Sequence, residues 1–177
     1  MRYTRIVSLT PSITETIFFL GCGDWLAGVT DACDFPPEAN TKPHVYSWFD
    51  PSLDRIKALK PDLVLGLATA HNHLPPVLLS HDIASHLFNP QTIGDVLQDI
   101  LELGHLLGTA ITVAQPLLNG LQRRLDKLDK KVNNIEPDQK MTVSRVLDID
   151  GDSLLVAGPL SFQYDVISRA GRLNVTS

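Results

Sequence analysis

No apolar run in this 177-residue chain approaches the roughly 20 residues that a bilayer-spanning helix needs. Basic residues do not dominate either: 15 Lys and Arg stand against 20 Asp and Glu, a net charge of -5, so nothing in the charge balance points to a nucleic-acid partner. Aromatics make up 6% of the chain and cysteines number two. Cys22 and Cys33 lack the spacing of a zinc site. A disulfide between them needs an oxidising compartment, whereas two buried thiols suit either compartment. The opening Met1-Arg2-Tyr3-Thr4-Arg5 leads directly into a short apolar strand, without the apolar core and cleavage site of a secretory leader. On that ground the chain either acts in the cytoplasm or is written without its leader. Enzyme signatures are also missing. Gly21-Cys22-Gly23 follows a helix rather than a strand, which disqualifies it as a dinucleotide fingerprint. There is no phosphate-cradling Gly-Lys-Ser/Thr loop, no nucleophile elbow, no zinc-protease His-Glu pair and no Asp-x-His-x-x-Gly pattern. No catalytic residue and no resident metal are assigned.

What is present is a composition able to fold, 44% hydrophobic and 20% charged, in alternating strand and helix patterns. Arg5–Leu9 reads as a buried strand that stops at Thr10-Pro11-Ser12. The helix after it starts in one of two ways. Ser12 and Glu15 form a capping box, or Thr10 caps and Pro11 is the first helical residue. That helix runs through Leu20 and leaves at Gly21. Leu26–Val29 is a second strand, Asp34-Phe35-Pro36-Pro37 a rigid turn, His44–Tyr46 a brief strand and Ser52–Leu59 a short helix. Asp62–Leu67 is the clearest buried strand. A polar loop carrying His71 and His73 follows it, then a short helix near Pro76–Ser80 and a strand over Ile83–Phe88. Alternation of this kind predicts an α/β lobe, a mostly parallel sheet covered by helices on both faces.

Ile93, Val96, Leu97, Ile100, Leu103 and Leu107 recur at helical spacing. After Gly108 and Thr109 a second helix is expected over Ala110–Val132, about 34 Å long, with Pro116 bending it or marking a later start. Its mixed charge run, Arg123–Lys131, reads as a solvated face. A polar linker over Asn133–Lys140 precedes strands at Ser144–Ile149 and Leu154–Ala157 and a helix at Ser161–Ala170. The expected organisation is an N-terminal lobe over 1–91, a helix pair and linker over 92–140, and the beginning of a second α/β lobe over 141–177. About 40 residues make a poor core of their own, so a fragment, or a protein lacking most of its second lobe, is expected.

Three stretches carry a resemblance: Arg5-Ile-Val-Ser-Leu-Thr-Pro-Ser-Ile-Thr-Glu15, Gly28-Val-Thr-Asp-Ala-Cys-Asp-Phe-Pro-Pro-Glu38 and Pro51-Ser-Leu-Asp-Arg-Ile-Lys-Ala-Leu-Lys-Pro-Asp-Leu-Val-Leu65. In their order and spacing they resemble the helical-backbone periplasmic binding proteins, above all the vitamin B12-binding branch. Gly158-Pro-Leu-Ser-Phe162 and Ala170-Gly-Arg-Leu-Asn-Val175 are similar to the opening of that family's second lobe. The resemblance implies two α/β lobes joined by one long helix, a ligand held between them and docking on an ABC-transporter permease. It implies a cobalamin-like corrinoid as cargo, an extracytoplasmic location and no catalysis.

By the same resemblance Trp48 matches an aromatic that contacts the corrin, and Asp54 an exposed acid that meets permease arginines. Ala32 and Leu67 stand where the branch often carries aromatics, which leaves room for another corrinoid, haem or an iron chelate. The residues add candidates of their own. Ligands gather at the carboxyl ends of parallel strands, which brings in Asp34 and Phe35 after the second strand, and His71 after the best strand. Imidazole can ligate cobalt or iron, although paired loop histidines are commonly just solvated. Ser8, Thr10 and Ser12 bracket a helix start whose amides could hold an anion or be capped. His81 and His86 are expected to be structural. A cytoplasmic protein reusing this lobe for sensing is the reading from another class.

Overall fold

The computed structural model describes residues 3–109, 111–136, 139–151 and 153–175. They divide into two compact units, residues 1–89 with 100–114, and 90–99 with 115–177. The helix pair expected as a segment of its own is thus shared out between the units.

In the first unit, β1 (Ile6–Ser8), β2 (Leu26–Val29), β3 (Leu63–Leu67) and β4 (Ala84–Phe88) form a parallel sheet in the order β2-β1-β3-β4. β1, β2 and β3 are short and mostly apolar because both faces are covered, whereas the edge strand β4 is largely half-buried. Alternation along them sorts side chains to two cores. Ile6, Leu63 and Leu65 join Ile13 and Ile17 of α1 (Pro11–Phe19) and, further along the chain, Leu103 and Leu107. On the other face Val7 and Val64 join Ile56 of α2 (Leu53–Ala58) and Leu74 and Leu78 of α4 (Leu74–Leu79). Each such side chain contributes about 1.5–3 kcal/mol on burial.

Of the two starts read for α1, the second is realised: Thr10 is the N-cap and Pro11 the first helical residue. Proline has no N–H to leave unsatisfied there. Gly21 takes φ +74° beyond the helix end, as an αL exit requires. His44–Tyr46 gives a single parallel bridge, His44 to Val29, rather than a strand. The polar loop after β3 is a helical turn, α3 (Ala68–His71), followed directly by α4. Cys22 and Cys33 are buried and not joined by a disulfide.

Helix α5 (Ile93–Leu106) begins at a reciprocal cap. Thr92 Oγ1 accepts from Asp95 N–H at 3.0 Å, while Asp95 Oδ2 accepts from Thr92 N–H at 2.8 Å and from Gln91 N–H at 3.0 Å. Those backbone donors, Gln91 first, hold the Asp95 carboxyl below its usual range. Helix α6 (Ile111–Val132) runs through Pro116 without a later start. The expected first residue, Ala110, lies outside the described residues, as does part of the linker.

The second unit has its strands and helix close to where they were expected. Its strands β6 (Val146–Asp150) and β7 (Ser153–Val156) form an antiparallel hairpin, with Gly151 at φ +58°. Only β5 (Thr142–Val143) and β8 (Leu173–Asn174) pair in parallel. Helix α7 (Phe162–Arg169) is capped by Ser161, whose Oγ accepts from Tyr164 N–H at 3.3 Å. Arg169 grips Asp129 of α6 through two bonds, of 3.1 and 2.8 Å. Asp165 accepts the Ile93 N–H at 2.8 Å. Among the described residues no helix is long and apolar enough to cross a membrane.

Candidate ligand-binding site

Order β2-β1-β3-β4 means that the chain leaves β1 toward one side and later returns to the other. The loops after β1, β2 and β3 therefore open at one end of the sheet, where open α/β folds bind ligands.

The loop after β1 is closed. Ser8 and Thr10 are buried. Ser8 Oγ donates to Thr10 O at 3.3 Å and accepts from Thr14 Oγ1 at 2.8 Å. The network continues to Cys33 Sγ, 3.2 Å from Thr14 Oγ1 and 3.3 Å from Thr30 Oγ1, and Thr30 Oγ1 reaches Leu9 O at 3.3 Å. These groups satisfy one another, as buried polar atoms must. The Ser8 hydroxyl is therefore not offered to a ligand, and an anion at the helix-start amides stays a proposal. The Thr14 and Thr30 hydroxyls, with Cys33, tie the end of β1 to the loop after β2.

The loop after β2 is long and presents aromatic surface. Asp34 and Phe35 are exposed, the Phe35 ring at 60%. Asn40 Nδ2 donates to Asp34 O at 3.2 Å, which braces that turn. Further on, Tyr46 has φ +70°, a left-handed conformation that is costly for an aromatic residue. Arg55 of α2 holds it there: the guanidinium lies 3.6 Å from the ring centroid, hydrogen-bonds the Tyr46 hydroxyl and donates to His44 O at 3.0 Å. His44 in turn pairs with Asp31 at 2.8 Å.

Trp48 is half-buried beside Phe49, with ring centroids 4.3 Å apart at 47°. Phe49 is 67% exposed. Among the described residues, Trp48 Nε1 is a buried side-chain nitrogen with no hydrogen-bond partner. Tyr46, Trp48 and Phe49 thus form an aromatic segment between β2 and α2. Sequence reasoning singled out Trp48 alone. Phe49 stood next to it in plain view, but the φ of Tyr46 and its clamp by Arg55 have no local signal.

His71 requires a correction. It is fully buried at the end of α3 instead of lying on an open loop. Its Nδ1 accepts from Leu67 N–H at 3.1 Å and its Nε2 lies 2.7 Å from Trp48 O. Both ring nitrogens are engaged, so neither is open to a metal. His73 is exposed. Among the described residues no three His, Cys, Asp or Glu side chains gather as a metal cluster. His86 pairs with Glu102 of α5 at 3.3 Å and meets Phe88 edge-on. Ala32 is exposed and Leu67 packs partly against the core.

Asp54 projects from the first turn of α2, its side chain 91% exposed, with Lys57 Nζ at 2.9 Å. The Lys57 hydrogen bond, then its charge, hold the Asp54 carboxyl below its ordinary value.

A family model described as periplasmic binding protein matches residues 6–177. The vitamin B12-binding protein of Yersinia pestis (strain Pestoides F) is 46% identical over 62 residues, 35% of this chain and 22% of that protein. An ABC transporter substrate-binding protein of Listeria monocytogenes EGD-e superposes with a TM-score of 0.85 at 26% identity, covering 98% of this chain and 65% of that one. The periplasmic heme binding protein HutB of Vibrio cholerae superposes with a TM-score of 0.80 at 24% identity, over 98% of this chain and 66% of that one. The chain therefore spans about two thirds of the length of these solved relatives and a smaller part of the curated one.

Proposed function

Because the chain belongs to the periplasmic binding protein family, we propose that it serves an ABC transporter as a solute-binding protein, capturing a cobalamin-like corrinoid outside the cytoplasm and delivering it to a membrane permease. The observation that supports this most is the 46% identity over 62 residues with a vitamin B12-binding protein. The site chemistry agrees. A corrin is broad, flat and largely apolar, and the exposed face of the Trp48–Phe49 pair offers what such a ring packs against. Asp34 and Phe35 add a polar group and a second aromatic surface on the same loop. Cargo of this kind needs no protein ligand to its metal, which suits a histidine turned inward.

Asp54 is the residue we assign to the permease. A carboxylate held clear of the surface, its charge only partly countered by Lys57, would steer and orient docking on a cationic partner more than it would add affinity.

The test is a titration of the chain, alone and within its full reading frame, with cyanocobalamin, haemin and ferric chelates, followed by tryptophan quenching and calorimetry. One-to-one binding of cyanocobalamin above the others is expected. Trp48→Ala should then weaken it by about 2 kcal/mol, roughly thirtyfold. Binding of haemin in preference to cyanocobalamin would overturn the corrinoid assignment and leave the transport role.

A further inference from the structure

Residues 47–50 carry the aromatic segment and have few anchors. Phe49 N–H bonds to Ser47 Oγ at 3.2 Å, a contact inside the loop. The Tyr46–Pro51 bridge closes its base. The indole N–H, which usually fixes a buried tryptophan, has no acceptor among the described residues. The hydrogen bond that ties this stretch to another element is the one between Trp48 O and His71 Nε2, at 2.7 Å.

His71 is built for that contact. Leu67 N–H donates to Nδ1 at 3.1 Å, which makes Nδ1 an acceptor and leaves the proton of the neutral ring on Nε2. A neutral imidazole in that tautomer can only donate at Nε2, and the Trp48 carbonyl can only accept. The ring is also seated against β3. A Cβ on Gly66 would fall 2.8 Å from His71 Nδ1 and 3.2 Å from Cγ, so the absence of a side chain at that position makes the room. One buried residue thus joins the loop after β3 to the loop after β2, and it does so at the backbone of the tryptophan.

We propose that His71 is the positioning residue of the aromatic segment: its Nε2–H, held in one tautomer by Leu67, sets the placement of Trp48 and Phe49 and thereby the affinity for a flat macrocyclic ligand. The ligand part rests on the reading of Trp48 as a ligand contact, while the positioning part stands on the ligand-free protein.

Trp25→Phe leaves Trp48 as the sole tryptophan of the two in the chain. In that background His71→Gln and His71→Asn separate the two ring nitrogens. The Gln amide reaches the place of Nε2 and keeps a donor for Trp48 O. The Asn amide reaches only the place of Nδ1 and loses that donor. Far-UV circular dichroism checks the fold, and the readouts are the Trp48 emission maximum, acrylamide quenching and the indole N–H resonance. His71→Asn should shift all three and weaken cyanocobalamin binding roughly two- to tenfold. His71→Gln should stay near the parent. Trp25, read in a Trp48→Phe background, should not move. Equal effects of Gln and Asn on Trp48, or none from either, would overturn the positioning role. A long-range nitrogen–proton spectrum of the unaltered chain gives a check free of folding effects: a proton on Nδ1 instead of Nε2 would also overturn it. If the Asn/Gln split appears in the ligand-free spectra but cyanocobalamin does not bind, the positioning contact stands and the corrinoid reading fails.

Discussion

Gly66→Ala asks the most of this structure with the fewest atoms. The added methyl would stand 2.8 Å from His71 Nδ1 and 3.1 Å from Leu87 Cδ2, both well inside van der Waals contact. Alanine has one advantage in a strand, about 0.5–1 kcal/mol from lower backbone entropy in the unfolded chain. Against it stand overpacking, about 1–3 kcal/mol, and the hydrogen bonds of His71 to Leu67 and Trp48, about 0.5–1.5 kcal/mol each when displaced. The balance is a loss of roughly 1–5 kcal/mol, centred near 3. Urea unfolding followed by circular dichroism measures it. The cause is isolated by the cycle with His71→Ala. Removing the ring removes the nearer of the two obstacles and leaves Leu87, so the double variant should lose at least 1 kcal/mol less than the sum of the two singles. Additive losses would refute the claim that Gly66 exists to seat His71, and a stabilised Gly66→Ala would refute the geometry itself.

Thr92→Ala removes half of the reciprocal cap of α5 and should cost about 1 kcal/mol; an unchanged urea midpoint would deny the cap any weight. Cys22 and Cys33 should both stay unreactive to a thiol reagent in the native chain and both react on unfolding, with the same mass before and after reduction; a loss of two thiols without reductant would contradict the absence of a disulfide. Asp54 titrates below its ordinary 3.8 because of Lys57. A carboxyl lowered in the folded state contributes stability above its unfolded value and loses it as pH falls through the folded one. Lys57→Ala should therefore move the Asp54 carbon resonance titration upward toward 3.8, and an unmoved curve would remove Lys57 as the cause.

Where side-chain period and apolar content were strong, the fold was legible. The four strands of the first unit fall within a residue or two of their expected places, and for β1, β2 and β3 the reason is that a parallel strand buried on both faces must be a short apolar run. Gly21 and the Thr10-Pro11 pair acted as the punctuation that physical chemistry assigns them. The second unit was less legible for a physical reason. Val146–Asp150 and Ser153–Val156 carry strand residues, but their large side chains, Leu147, Ile149, Leu154 and Leu155, are exposed in this structure. Apolar content alone therefore announced two strands, while their antiparallel pairing depended on Gly151 adopting φ +58°, a choice of turn that the sequence leaves open.

The candidate site shows the opposite balance. Trp48, Asp34 and Phe35 were singled out because strand ends and a family resemblance point at loops; Asp34 and Phe35 are exposed there and Trp48 is half-buried. His71 was singled out by the strand-end rule and Ser8 as part of a helix start, and both face inward. A strand-end rule locates the right end of the sheet, but it cannot tell a side chain offered to a ligand from one spent on holding the loop. Only partners distinguish them. Ser8 meets Thr14, and His71 meets Leu67 and Trp48, so both are saturated before any ligand arrives. Trp48 keeps an indole N–H without an acceptor among the described residues, beside a largely exposed Phe49. A lobe that spends its buried polar groups on fixing loop backbones, and leaves aromatic surface uncovered, has the surface that the proposed flat ligand would need. That division of labour explains why a buried histidine far from solvent belongs in an account of binding.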